Sequence, residues 1–227
     1  MAGTHAKKGR PDLQGSLQLD AHLMETAAKL FIEYGYEGTS MGQIVTAAGA
    51  GKQSLYRRYA NKEVLFRDVF TNLMMKKIMA RGAQHIAMFG GEASLDAPDG
   101  LAMLHFIARQ SFNFMLERET VETFRLFIAE RSRFPDLKND IREMIQIIED
   151  EITRLIRRAQ ESGFLRPDLD QNVARNFMAL FSEGPMVQAL LELKSIDTEQ
   201  SRERYFESAW KTFVDAVSGG DQTHPGT

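Results

Sequence analysis

Residues 39–67 read TSMGQIVTAAGAGKQSLYRRYANKEVLFR, and this stretch decides the fold. Thr39 and Ser40 supply side-chain oxygens where a helix start needs a cap. Ile44, Ala47 and Ala48 follow at helical spacing, so a first short helix has one apolar face. Ala48-Gly49-Ala50-Gly51 breaks it, because glycine alone enters the left-handed backbone region cheaply. Lys52 to Tyr59 resumes a helix, with Leu55 and Tyr59 inward and Lys52, Ser54, Arg57 and Arg58 outward. A helix-turn-helix needs this arrangement: one helix braces while the second presents donors to a DNA groove.

Working outward, periodicity predicts a helix over roughly Asp20 to Tyr34, with Leu23, Ala27, Leu30, Phe31 and Tyr34 as its buried stripe. Asn61 is placed to cap a fourth helix, and Glu63 suits the positive N-terminal end of its dipole. Val64, Leu65, Phe70 and Leu73 carry that helix's apolar face to about Met79. After a loose stretch from Gly90 to Gly100, amphipathic helices follow at about 101–117, 119–133, 137–162, 170–193 and 202–217. No stretch reads as a strand. The expected fold is all-α, a three-helix DNA-binding head on a larger helical domain. Its divisions are a flexible basic arm (1–17), the helix-turn-helix domain (18–66), a larger helical domain (67–217) and a disordered tail (218–227).

Thr39-Ser40, Ile44-Val45, Ala48-Gly49, Ser54 to Tyr59, and Asn61-Lys62-Glu63 with Leu65 together resemble the N-terminal signature of the TetR/AcrR family. Ala27 to Phe31, Tyr34-Gly35-Tyr36 and Gly38-Thr39 resemble that family's first helix and its exit. The likeness runs without a gap from about Leu23 to Arg67. Val45 stands where alanine is usual, Tyr59-Ala60 replaces the commoner pair, and Gly42 lies inside a helix. Glycine costs about 1 kcal/mol there relative to alanine, which predicts a locally soft brace. Further on, Phe124 to Leu137 (FRLFIAERSRFPDL) resembles the C-terminal domain of the AefR-like subgroup. The resemblance implies a bacterial transcriptional regulator, a repressor, with 67–217 as its regulatory ligand-binding and dimerisation domain, acting as a homodimer on a palindromic operator and released by a small apolar or amphipathic effector.

Composition narrows the alternatives. At 43% hydrophobic residues, most of the 227-residue chain should be ordered. With no cysteine there is no disulfide framework, thiolate nucleophile or cysteine zinc site. No apolar run approaches the ~18 residues of a membrane span. Lys7, Lys8 and Arg10 are followed by no apolar segment, so the start does not read as a signal peptide. The expected location is the cytoplasm. Net charge is −3, yet residues 1–67 hold nine Lys and Arg against six Asp and Glu. That local surplus of +3 sits on a body of −6, a basic head that can face DNA.

Several apparent motifs fail. Gly49 to Ser54 suggests a phosphate loop, but Thr46 and Gln53 stand where glycine and Ser/Thr are required, and a helix precedes instead of a strand. The dinucleotide fingerprint fails because Ser54 replaces its third glycine. His5, His22, His85, His105 and His224 share no metal-ligand spacing, and Glu149-Asp150-Glu151 points three ways round a helix. No catalytic set, metal or cofactor is expected, so the chain does not read as an enzyme.

The candidate DNA-binding residues are Thr39, Ser40, Lys52, Gln53, Ser54, Tyr56, Arg57, Arg58 and Lys62. Lys52, Gln53 and Arg57 are assigned to base edges, and Ser54, Tyr56, Arg58 and Lys62 to phosphates. The Met- and Phe-rich C-terminal half has two readings, an ordinary core or the wall of an adaptable apolar cavity. The resemblance implies the second. Phe106, Phe124, Phe127 and Phe177 would then line it, with Arg109, Gln110, Asn113 and Asn176 as polar anchors. Tyr205, Phe206, Trp210 and Phe213 form a stripe assigned to the dimer interface, although much of it could instead close the monomer core. Two rival readings stay open: a regulator answering to a protein partner, and a helical enzyme that has kept the head.

Overall fold

The computed structural model describes residues 13–71 and 100–218. Among these residues the regular elements are helical throughout, so the fold is all-α. The chain divides into two compact units, Met1–Leu73 and Met74–Thr227. The tail assigned to 218–227 lies outside the described residues but for Ser218, as do the helix extension to Met79 and the Gly90–Pro98 stretch. Of the arm, only 13–17 is described, and it is helical.

In the first unit, α1 (Leu13–Gly38) breaks at Gly35, whose φ of 71° only glycine adopts at low cost. That break corrects the predicted stripe. Tyr34, expected inside, is 53% exposed, and Tyr36 swings into the core in its place. Tyr36 stacks near Phe31 at 6.0 Å, and both rings meet the edge of Phe66 at 5.1 Å. Leu23, Ala27, Phe31, Ile44, Leu55 and Leu65 are fully buried around them.

Ser40, and not Thr39, caps α2 (Met41–Ala47). Its Oγ accepts from Gln43 N–H, and Gln43 Oε1 accepts from Ser40 N–H at 2.7 Å, closing a capping box. Gly42 therefore sits in a capped first turn, where it weakens the brace less than a mid-helix glycine would. Gly49, at φ 58°, makes the turn. Next come α3 (Lys52–Arg58) and α4 (62–71), the latter capped by Asn61 Oδ1 accepting from Val64 N–H at 2.9 Å.

The second unit contains α5 (Gly100–Met115), α6 (Arg118–Glu130) and α7 (Leu137–Glu161). Ile152, Leu155, Ile156 and Ala159 are the buried stripe of α7, which ends at Gly163 with φ 76°. The segment predicted as one helix over 170–193 is α8 (Val173–Met178), a π turn (Ala179–Glu183) and α9 (Gly184–Leu190). Pro185 explains the π turn: it lacks an N–H for the Phe181 carbonyl, and its ring crowds the preceding turn. Gly184 is required there, since a Cβ would lie 2.9 Å from the Ala179 carbonyl and 3.0 Å from the Tyr205 hydroxyl.

A second capping box, Thr198 with Ser201, starts α10 (Glu199–Val217). The core joins Leu104, Phe112, Ile156, Phe177, Phe181, Phe206 and Phe213. Phe206 and Phe213 thus close the monomer and are not free for a dimer stripe. Tyr205 and Trp210 are half-buried beside them.

Candidate nucleic-acid interface

A helix advances 100° per residue, so Lys52, Tyr56, Gln53 and Arg57 occupy one arc of about 140° on α3. All four are exposed, and Leu55 on the far side is fully buried. Lys52 Nζ lies 5.8 Å from the Tyr56 ring centre, a cation resting against an aromatic face. No acidic residue occurs between Glu37 and Glu63, while Lys52, Arg57, Arg58 and Lys62 all fall in that interval. The positive field is therefore set by composition over the whole turn and both its helices. Tyr59 anchors α3 from below, and burial and then the Asp68 carboxylate push the pKa of its phenol up to about 12.

The remaining predicted DNA contacts have other partners. Thr39 is 2% exposed, and its hydroxyl lies 3.0 Å from the Leu30 carbonyl and 2.9 Å from that of Gly35. Its buried hydroxyl ties the break at Gly35 to the body of α1. Ser40 is exposed but is committed to its capping box. Lys62 Nζ donates to the Tyr36 carbonyl at 2.8 Å and sits 4.1 Å above the Tyr36 ring. Arg58 turns inward to Asp20 and Ser54, against the outward placement predicted from sequence. These side chains help to order the unit, and the exposed arc of α3 leaves Lys52, Gln53, Tyr56 and Arg57 accessible.

In the second unit, four of the residues assigned to an effector are exposed, packed in the core or already paired. Asn113 and Asn176 are exposed, so they do not anchor anything in an enclosed cavity. Phe177 is buried core, 4.8 Å from Phe181 and 5.2 Å from Phe213. Arg109 forks onto Glu203 at 2.6 and 2.9 Å, reaches Glu207 at 2.9 Å and lies 3.4 Å above the Phe206 ring. Its hydrogen bonds hold the Glu203 carboxyl below its ordinary pKa. An effector carboxylate would have to displace both glutamates. His105 packs edge-on to Trp210 and Phe206, at 4.7 and 5.3 Å, as an aromatic filler. Phe106, Gln110, Phe124 and Phe127 are half-buried on α5 and α6.

The sequence reading missed Thr120, which is fully buried with no partner for its hydroxyl among the described residues. Thr46, Thr123, Thr153 and Thr212 each donate to the carbonyl four residues back. Thr120 is the third residue of α6, so its corresponding residue, Leu116, precedes the helix. A threonine in the first turn of a buried helix is the signal that would have found it. Thr120→Val keeps the shape and removes an unpaired hydroxyl, so it should stabilise the protein by about 1–3 kcal/mol. Urea unfolding of both proteins measures this; a loss of stability would mean that the hydroxyl is satisfied in solution.

Residues 23–69 match the family model for bacterial regulatory proteins of the tetR family, and residues 102–216 that for the AefR-like transcriptional repressor C-terminal domain. The HTH-type transcriptional repressor ComR of Escherichia coli (strain K12) is 45% identical over 62 residues, 27% of this chain and 28% of that protein. The chain thus matches little more than a quarter of the length of such relatives. A TetR-family transcriptional regulator from Mesorhizobium loti MAFF303099 has a similar structure: TM-score 0.75 and 21% identity, over 90% of this chain and 98% of that one. The flavonoid-responsive regulator FrrA aligns with TM-score 0.62 and 23% identity, over 89% and 98%.

Proposed function

The chain belongs to the TetR family of bacterial DNA-binding transcriptional regulators, and from that premise we propose a homodimeric, effector-released repressor of a palindromic operator. The fold and family are those of regulators and not of enzymes. No helix among the described residues is long and apolar enough to cross a membrane. A cytoplasmic location is part of this proposal.

The observation that carries the reading is the exposed, acid-free arc of Lys52, Gln53, Tyr56 and Arg57. Phosphate contacts would fix register, and base-edge contacts from Lys52, Gln53 and Arg57 would discriminate sequence. Selection of duplexes from a random library by the full-length protein, then binding isotherms at several salt concentrations, tests it. Enrichment of a palindrome with affinity falling steeply in salt supports the reading. No enrichment sinks it.

Repressor action and a small apolar or amphipathic effector rest on kinship. ComR is a repressor and FrrA responds to flavonoids. For this chain the effector would change the separation of two heads that must match half-sites about 34–36 Å apart. The coupling must be reciprocal, so an effector that weakens DNA binding tenfold is bound tenfold more weakly by the DNA complex.

Dimerisation is favoured because one helix-turn-helix reads a single half-site. With Phe206 and Phe213 inside the monomer, the candidate surface moves to Val187 and Leu191, 53% and 64% exposed and one turn apart on α9 and at its end. Tyr205 and Trp210 stay in the proposal as its half-buried border. Leu191→Glu should yield a folded monomer with weakened operator affinity. Sedimentation that shows an unchanged dimer would remove Leu191 from the interface, and a wild-type monomer at micromolar concentration would end the dimer reading.

A further inference from the structure

We propose that Asp20 and Arg58 form a positioning clamp that presents Ser54 to DNA as a hydrogen-bond donor. The inference rests on the DNA-binding reading above and concerns how one side chain beside the exposed arc is set. Arg58 ends α3, but it lies about 240° round the helix from Lys52, on the inner side. Its Nε pairs with the Asp20 carboxylate of α1, with side chains only 14% and 34% exposed. Its Nη1 reaches back one turn to the Ser54 carbonyl at 3.0 Å and the Ser54 hydroxyl oxygen at 2.7 Å.

The direction of that last contact is fixed by chemistry. A guanidinium carries donors and no acceptor, so Arg58 donates and Ser54 Oγ accepts. The hydroxyl's own hydrogen must then point elsewhere, and no acceptor takes it among the described residues. Ser54 is half-buried and adjoins Arg57 at the edge of the exposed arc. Its oxygen is polarised by a charged donor, which makes the remaining O–H a stronger donor. DNA offers matching acceptors in its phosphate oxygens and in the major-groove edges of guanine and thymine. The clamp thus holds one cation back from the phosphates and fixes the orientation of a neighbouring hydroxyl.

The test is a double-mutant cycle in the full-length protein. The probes are the duplex that wild type selects from a random library and a non-cognate duplex of the same length. Ser54→Ala should weaken binding of the selected duplex about tenfold, the size of one well-placed hydrogen bond, and Ser54→Thr should retain it. Arg58→Gln should also cost about tenfold alone, but no more than about twofold in the Ser54→Ala background. Asp20→Asn, which leaves the guanidinium in place, should follow the same pattern if Arg58→Gln disturbs folding. A Ser54→Ala loss on both duplexes assigns the acceptor to phosphate, and a loss on the selected duplex alone assigns it to a base.

Equal losses from Arg58→Gln in both backgrounds would overturn the clamp, since a purely structural or directly phosphate-binding arginine behaves that way. Unchanged affinity in Ser54→Ala would overturn it as well. A wild-type protein that enriches no duplex overturns the DNA-binding reading and the clamp together, whereas additivity removes the clamp alone.

Discussion

Replacing Phe206 with alanine is expected to cost about 3–5 kcal/mol of stability. The ring is fully buried between Phe112, Phe181 and His105, and the Arg109 guanidinium covers one face at 3.4 Å. Deleting it removes the transfer energy of a large apolar group and leaves a cavity that four neighbouring side chains can only partly refill. The melting temperature should fall by roughly 6–20 °C for a chain of this size. The result also separates two roles. A core Phe206 lowers the unfolding midpoint at every protein concentration. A dimer-interface Phe206 would leave a stable monomer and act through the association constant alone. Thermal melts across a hundredfold range of concentration, paired with sedimentation, decide between them.

The second large effect is on recognition. A Lys52→Ala/Arg57→Ala double variant should lose about 2–6 kcal/mol of discrimination between operator and random sequence, at 1–3 kcal/mol for each base contact. That is roughly a thirtyfold to twenty-thousandfold loss of specificity. Folding should be unaffected, because both side chains are exposed and the buried residue of α3 is Leu55. Isotherms on a selected and a non-cognate duplex, each at several salt concentrations, supply the measurement. If the two affinities fall by the same factor, the residues hold phosphates, and the assignment to base edges is wrong. If neither changes, α3 is not the reading helix.

Much of the architecture was legible because its signals are local. Glycine at positions 49 and 163 marks turns that need a positive φ, and both glycines have one. Ser40 and Asn61 stand where helices begin, and each accepts the hydrogen bond its position predicts. Periodicity located α5, α6, α7 and α10 to within a few residues. The π turn was not legible, since an apolar run with one proline reads as a helix with a tolerated kink. Only the tertiary structure shows the turn ahead of Pro185 widened, with the Tyr205 hydroxyl close against Gly184.

The sequence by itself determined the family, the helical class and the exposed basic arc of α3. These depend on spacing along one element, and a helix converts spacing into direction without outside help. Tertiary structure alone decided which polar and aromatic side chains are already spent. Arg58 reads as an outward cation until Asp20, thirty-eight positions earlier, is placed beside it. Lys62 and Arg109 are engaged in the same way by Tyr36 and by Glu203 with Glu207. Phe206 and Phe213 share a helical face that suits a dimer equally well until α5 and the π turn close over it. The physical reason is common to all of them. A helix face fixes the direction in which a side chain points, but the energy of that direction comes from partners distant in sequence, and periodicity carries no information about those.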